Sequence, residues 1–248
     1  MNDLLAIPEK PRIGVSACLT GEAVRYDGDH QQHGQVVGLL AGLFELIPIC
    51  PEVEIGLGIP REPIQLERTG TVTRLVAIES RTDHTEPMQD FSERTALQLE
   101  AWQASGYVLK SKSPSCGLEH VKRFNETGTF ERDGQGIFAA GLQQHLPDLP
   151  LIEEAALVDK SSCQHFIAQV EAFHCLRVCL AAPWNPSEMI NFHAAHREFL
   201  ESHHAMGYQQ LETHVSRIEE QEPGPFRARY RQQFLEIMAY PGEQGSGS

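Results

Sequence analysis

RIGVSAC, residues 12–18, decides how the chain is read. Its apolar, β-branched centre ends in small residues, which predicts a short strand buried on both faces. That strand delivers a thiol at its carboxyl end. GQVVGLLAGLF (34–44) follows with the apolar spacing of a helix, and ELIPIC (45–50) returns as a strand that again ends on a cysteine. A Pro- and Gly-rich loop, PEVEIGLGIPREP (51–63), precedes a strand expected around 71–78. SERTALQLEAWQASG (92–106) predicts a helix capped by Ser92 and stopped by Gly106. YVLK (107–110) is the next strand and runs into SKSPSCGLEH (111–120), which holds a third thiol. GIFAAGLQQHL (136–146) reads as helix, PLIEE (150–154) as strand and residues 160–180 as helix.

Strands alternating with helices define βαβ units. The expected fold is therefore α/β: a mainly parallel, Rossmann-like sheet flanked by helices, followed by a small helical C-terminal segment. PWNPSE (183–188) interrupts the pattern, which places the expected domains at 1–182 and 183–248, with GEQGSGS as a tail. The 248 residues are 41% hydrophobic, enough for one ordinary domain and a smaller one. No apolar run approaches the roughly 20 residues of a membrane helix, and MNDLLAIPEKPR is no secretory signal. A cytoplasmic protein is expected. In that compartment the six cysteines are expected to be buried, metal-bound or catalytic rather than paired. A formal charge of −14 argues against a protein coated in nucleic acid, although a local basic patch could survive in it.

Cys18, Cys50 and Cys116 each follow a predicted strand. In open parallel sheets ligands bind outside the carboxyl ends of the strands, so the three thiols are expected to meet at one rim. Most free cysteines simply pack as small buried residues. Three at strand ends, each beside turn residues, point instead to a metal or cluster site. Thiolates suit zinc, copper(I) or iron–sulfur clusters. A cubane cluster held by three cysteines would keep one iron open for chemistry, whereas zinc with three thiolates and a water is the competing assignment. Spacing leaves both in play.

The flanks supply further candidates. Glu52 in CPE is placed to act as a general base. Ser113 is read as a hydrogen-bond donor to substrate, or else as a plain turn serine before Pro114. Arg25, Tyr26 and Asp27 in VRYDGD, and Arg61 in GIPREP, are candidates for binding phosphate or a base edge. Lys110, Lys112, Lys122 and Arg123 concentrate positive charge around the third cysteine. Cys175 and Cys179, with His174 and Cys163 nearby, are expected to pack as small helical core residues. His193, His196, His203 and His204 are expected to form a polar helical face.

IGVSACLTGEAVRYDG, PICPEVEIGLGIPREP and LKSKSPSCG together resemble the DUF523 family, which includes the TudS-type thiouracil desulfidases. The likeness covers roughly residues 10–160. MINFHAAHREFLESHHAMGYQQL resembles the start of a DUF1722 domain, expected here in shortened form. The pairing is similar to fused bacterial proteins that remove sulfur from 4-thiouridine in tRNA. The resemblance implies a 4Fe-4S cluster on Cys18, Cys50 and Cys116 with one open iron, and catalytic roles for Glu52 and Ser113. It implies a non-redox desulfidase acting on tRNA or on a thiolated nucleobase or nucleotide, with no membrane partner. A non-enzymatic iron–sulfur protein that binds RNA or senses redox state, or a three-thiolate zinc hydrolase, are the alternatives.

Overall fold

The computed structural model describes residues 10–240. The GEQGSGS tail and all but the last residues of the N-terminal stretch lie outside them. The chain divides into two compact units, Met1–Cys163 and Gln164–Ser248.

The first unit is built on a four-stranded parallel sheet in the order β2-β1-β5-β8, comprising β1 (Arg12–Ser16), β2 (Glu45–Ile49), β5 (Ala104–Leu109) and β8 (Leu151–Glu153). Every residue of β5 is buried, as a central strand covered on both faces requires. Gly14 on β1 has no room for a side chain, because a Cβ there would lie 2.2 Å from the ring of Tyr107 on β5. A π-helical turn (Val36–Leu40) running into α1 (Ala41–Leu43) connects β1 to β2. α2 (Pro51–Glu54) follows β2 directly, and α3 (Thr85–Ala101) precedes β5. α4 (Ile137–His145) leads into β8.

Two sequence expectations shift here. α3 starts well before Ser92, whose hydroxyl is buried in mid-helix and donates to the Met88 carbonyl at 2.6 Å instead of capping. Gly106 lies inside β5, and the helix ends at Trp102, with Gln103 turning the chain at φ 55°. The need to fill the sheet's centre overrides the glycine as a stop signal.

A second four-stranded sheet, β4-β3-β6-β7, extends the same unit. Its strands are β3 (Ile64–Thr69), β4 (Val72–Ala77), β6 (Val121–Phe124) and β7 (Phe130–Gly134). The β3/β4 and β6/β7 pairs are antiparallel hairpins joined by a parallel β3/β6 contact. Only β4 was legible in the sequence.

The second unit is helical. It takes most of α5 (Lys160–Ala181), together with α6 (Pro186–Ala195), α7 (Arg197–Val215) and α8 (Pro223–Met238). The division therefore falls inside α5, ahead of the PWNPSE stretch, where Asn185 caps α6 by accepting from the backbone of Ser187 and Glu188. Tyr208, Phe226, Tyr230 and Phe234 fill its core. Among the described residues no helix is long and apolar enough to cross a membrane.

Candidate active site

Parallel pairing brings the strand ends together: Ser16 is level with Ile49, and Val15 with Val108. The chain leaves β1 through a 3-10 turn, Ala17–Leu19, that presents Cys18. It leaves β2 at Cys50, where Pro51 opens α2 at its first position. It leaves β5 into residues 111–120, where Cys116 is buried. All three thiols line one cavity of about 350 Å3, together with Glu52 and Ser113.

Burial pushes the Cys18 thiol up to about 11, helped by the neighbouring Cys50. Burial likewise raises Cys50, and raises Cys116 well above its ordinary range. Three ionised sulfurs here need compensating positive charge. Among the described residues, no group of three His, Cys, Asp or Glu side chains is arranged to hold a single metal ion.

Glu52 is held from both sides. Arg61 reaches its Oε2 through Nη2 at 2.6 Å and Nε at 3.0 Å, while the Ser115 hydroxyl donates to Oε1 at 2.9 Å. Arg61 is itself fixed by the carbonyls of Gly58 and Val24, each at 2.9 Å. The Ser113 oxygen accepts from the backbone N–H groups of Ser115 (3.2 Å) and Cys116 (3.1 Å), which leaves its own hydrogen to donate. The structure shows the turn role of Ser113, which is compatible with the donor reading.

The loop carrying Cys116 is fastened by two consecutive carboxylates at the end of β8. Glu154 accepts from the Ser111 backbone at 2.5 Å, from its hydroxyl at 2.7 Å and from the Lys110 ammonium. Burial pushes the Glu154 carboxyl up, but the Lys110 and Ser111 donors outweigh it and hold it below the usual range. Glu153 accepts from Leu118 N–H at 2.7 Å. Lys110 lines the cavity but is committed to this lock.

Arg25 and Tyr26 also line the cavity. Arg25 donates to Gln31 at 2.8 Å and pairs with Asp27, which does not line the cavity. Lys112 lines it too, exposed and with φ 60°. Lys122 and Arg123 do not reach it. They belong to β6, where the Lys122 ammonium lies 4.6 Å from the centre of the Phe130 ring and Arg123 pairs with Asp133. Sequence reading missed Ser115, Ser111 and Glu154. A second serine in SPSC was the only visible signal for Ser115, and Glu154 offered none.

In the second unit, Cys175 is exposed and the Cys179 sulfur lies 3.2 Å from that of Met189. The histidines differ from the polar face expected of them. His193 is buried and stacks on Tyr208 at 5.1 Å, and buried His203 stacks on His165 at 4.8 Å. The helices needed flat rings for their core, and imidazoles supply them.

A parallel α/β unit with three thiols and a clamped carboxylate around one strand-end cavity has the form of an enzyme site. The model of the family described as 2-thiouracil desulfurase matches residues 13–154, and the chain belongs to that family. The family implies desulfurase activity on a thiolated nucleobase. The uncharacterized protein YbbK of Bacillus subtilis (strain 168) is 32% identical over 138 residues, 52% of this chain and 88% of its own. A solved structure described as the 4Fe-4S-dependent thiouracil desulfidase TudS is 31% identical, with a TM-score of 0.49, and the match covers 62% of this chain and 98% of that one. The family match ends at Glu154 and leaves the helical unit unassigned.

Proposed function

We propose that the protein is an iron–sulfur-dependent, non-redox desulfidase that removes the sulfur of 4-thiouridine, in tRNA or as a 4-thiouracil derivative. The observation that carries this reading is the cavity at the ends of β2, β1 and β5, where three thiols face a carboxylate oriented by Arg61 and Ser115. Cys18, Cys50 and Cys116 would hold a 4Fe-4S cluster and leave one iron open. Three thiolates on one zinc, with bonds of about 2.3 Å, would lie roughly 3.7 Å apart. Thiols distributed round a cavity suit a group in which each binds a different iron. When bound, the cluster supplies a soft Lewis acid for the thiocarbonyl sulfur and so makes the adjacent ring carbon electrophilic.

Glu52 takes a proton from the attacking water. Its Oε1 accepts from the Ser115 hydroxyl and keeps acceptor capacity for that water. The water oxygen replaces sulfur on the ring carbon, the C–S bond breaks, and sulfur leaves as hydrosulfide. No electrons are gained or lost. Ser113 donates its free hydroxyl hydrogen to the ring during this exchange. Tyr26, Arg25 and Lys112 meet the sugar and phosphate beyond the base, with Asp27 steadying Arg25. Lys110 acts through the Glu154 lock on the loop that bears Cys116. Lys122 and Arg123 enter only for an RNA long enough to extend to β6.

The test is anaerobic purification, iron and sulfide analysis, then sulfide release and nucleoside mass analysis with 4-thiouridine tRNA and with free 4-thiouracil. Iron-loaded protein that converts 4-thiouridine to uridine without a reductant is expected. Loaded protein that leaves both substrates intact would overturn the reading.

A further inference from the structure

Gln31 lines the strand-end cavity together with the three cysteines, and the chemistry above gives it no task. Its backbone is fastened to the turn that presents Cys18. The Gln31 N–H donates to the Cys18 carbonyl at 2.9 Å, and two residues on, the His33 N–H donates to the Leu19 carbonyl at 3.0 Å. Its side chain is fastened too, because Arg25 Nη1 donates to the amide at 2.8 Å. A guanidinium has donors only, so the amide must turn its oxygen toward Arg25. Its nitrogen keeps two hydrogens to give, and among the described residues no protein acceptor takes them. With its oxygen committed, the amide of Gln31 offers the cavity donors alone.

Its place indicates what such a donor meets. Gln31 is tied by its backbone to the residue bearing the Cys18 thiol, and by its side chain to Arg25, which meets sugar and phosphate. A 4-thiouridine with its sulfur toward the thiols and its sugar toward Arg25 lays its ring between those two ends. Along one ring edge, from the sulfur on C4 to the sugar on N1, stand the N3–H donor and the C2 carbonyl. The other edge carries only C5–H and C6–H. The C2 oxygen is therefore the one ring acceptor between the sulfur and the sugar.

We propose that Gln31 is a specificity-determining residue whose amide nitrogen donates to the C2 carbonyl of the thiolated pyrimidine. The inference rests on the desulfidase reading above and deepens it, because it defines the substrate class as 2-oxo-4-thiopyrimidines. Gln31 is exposed, so water meets its amide while the cavity is empty. Binding exchanges that water for the base, which makes the bond selective and its net worth modest. A base without the C2 oxygen gains nothing from it.

The experiment compares iron-loaded wild type with Gln31→Glu, which keeps an oxygen for Arg25 and removes both donors, and with Gln31→Leu, which removes the oxygen as well. Turnover is measured on 4-thiouracil and on pyrimidine-4-thione, and calorimetric binding on uracil and on pyrimidin-4-one. The second compound of each pair lacks the C2 oxygen. Each variant is expected to lose roughly threefold to tenfold in kcat/KM for 4-thiouracil and in affinity for uracil, the worth of one neutral hydrogen bond. On the compounds without the C2 oxygen, the variants should match wild type. Equal losses on both members of a pair would make Gln31 a support for Arg25 and the Cys18 turn, and would overturn the proposal. No loss on either member, or a loss confined to the newly charged Gln31→Glu, would overturn it as well. Failure of the desulfidase reading shows separately, in loaded wild type that leaves 4-thiouracil and tRNA intact, and this inference falls with it.

Discussion

The sheet rim of the first unit and the helices of the second both bury soft, titratable side chains, yet they use them differently. Partial burial raises Cys179, as burial raises Cys18, Cys50 and Cys116. Burial lowers His193, His203 and His214 in the helical unit, where His214 lies flat on Phe226 at 4.5 Å. Desolvation is the largest cause of each of these shifts. At the rim, the thiols also share a cavity with a carboxylate, a guanidinium and a free hydroxyl. Convergence, more than any perturbed group, is what makes a site.

Removing a rim thiol should have the largest effect. Cys116→Ala, like Cys18→Ala or Cys50→Ala, should abolish cluster binding, while Cys175→Ala and Cys179→Ala keep full iron content by elemental analysis. A brown, iron-loaded Cys116→Ala protein would erase the contrast between the two regions. Next comes the carboxylate. Glu52→Gln should load iron and lose roughly two to four orders of magnitude in turnover, as expected for a general base. The clamp follows: Arg61→Ala should cost about tenfold to a hundredfold in kcat, because it misplaces Glu52 without removing it. A near-normal rate would reduce the ion pair to scaffolding.

Smaller effects test the mouth and the helices. Lys112→Ala should flatten the log–log salt dependence of tRNA desulfuration by about one unit and leave free 4-thiouracil unaffected, whereas Lys122→Ala should change neither for a short thiolated oligonucleotide. In the helical unit the sign follows from lowered histidines. Their stabilising neutrality is complete above the ordinary value of 6.5 and is lost as pH falls through their lower folded values. Helical circular dichroism should therefore melt earlier at about pH 5 than at about pH 7.5, and His203→Gln should narrow that gap. An identical gap in the variant would mean that His203 does not carry it.

The rim was legible because β1 and β5 are runs of buried residues and a cysteine follows each of β1, β2 and β5, a pattern read from short segments. The second sheet was not. In IQLERT, VKRF and FERDG only Leu66, Val121 and Gly134 are buried, and the strands join by pairings such as Leu66 with Arg123, far apart in sequence. Placing Lys122 and Arg123 beside Cys116 followed sequence proximity, but the chain turns at Lys112 and His120, both at positive φ, and passes to the other sheet. The Arg61–Glu52 pair depends on a loop bent at Gly56 and Gly58, with φ of 88° and 73°. Nothing local in the sequence announces such a closure.

The lock at the end of β8 also imposes an order of events on synthesis. Glu154 reaches Ser111 across 43 residues, and Glu153 reaches Leu118 across 35. A chain emerging from its amino end exposes all three cysteines before either carboxylate exists to set the last of them. Until residues 153 and 154 have emerged from the ribosome, the Cys116 loop lacks both of these carboxylate anchors. Whatever the cysteines hold, the sheet completed by β8 is its acceptor, so it can be seated only after the Glu153–Glu154 pair has been made.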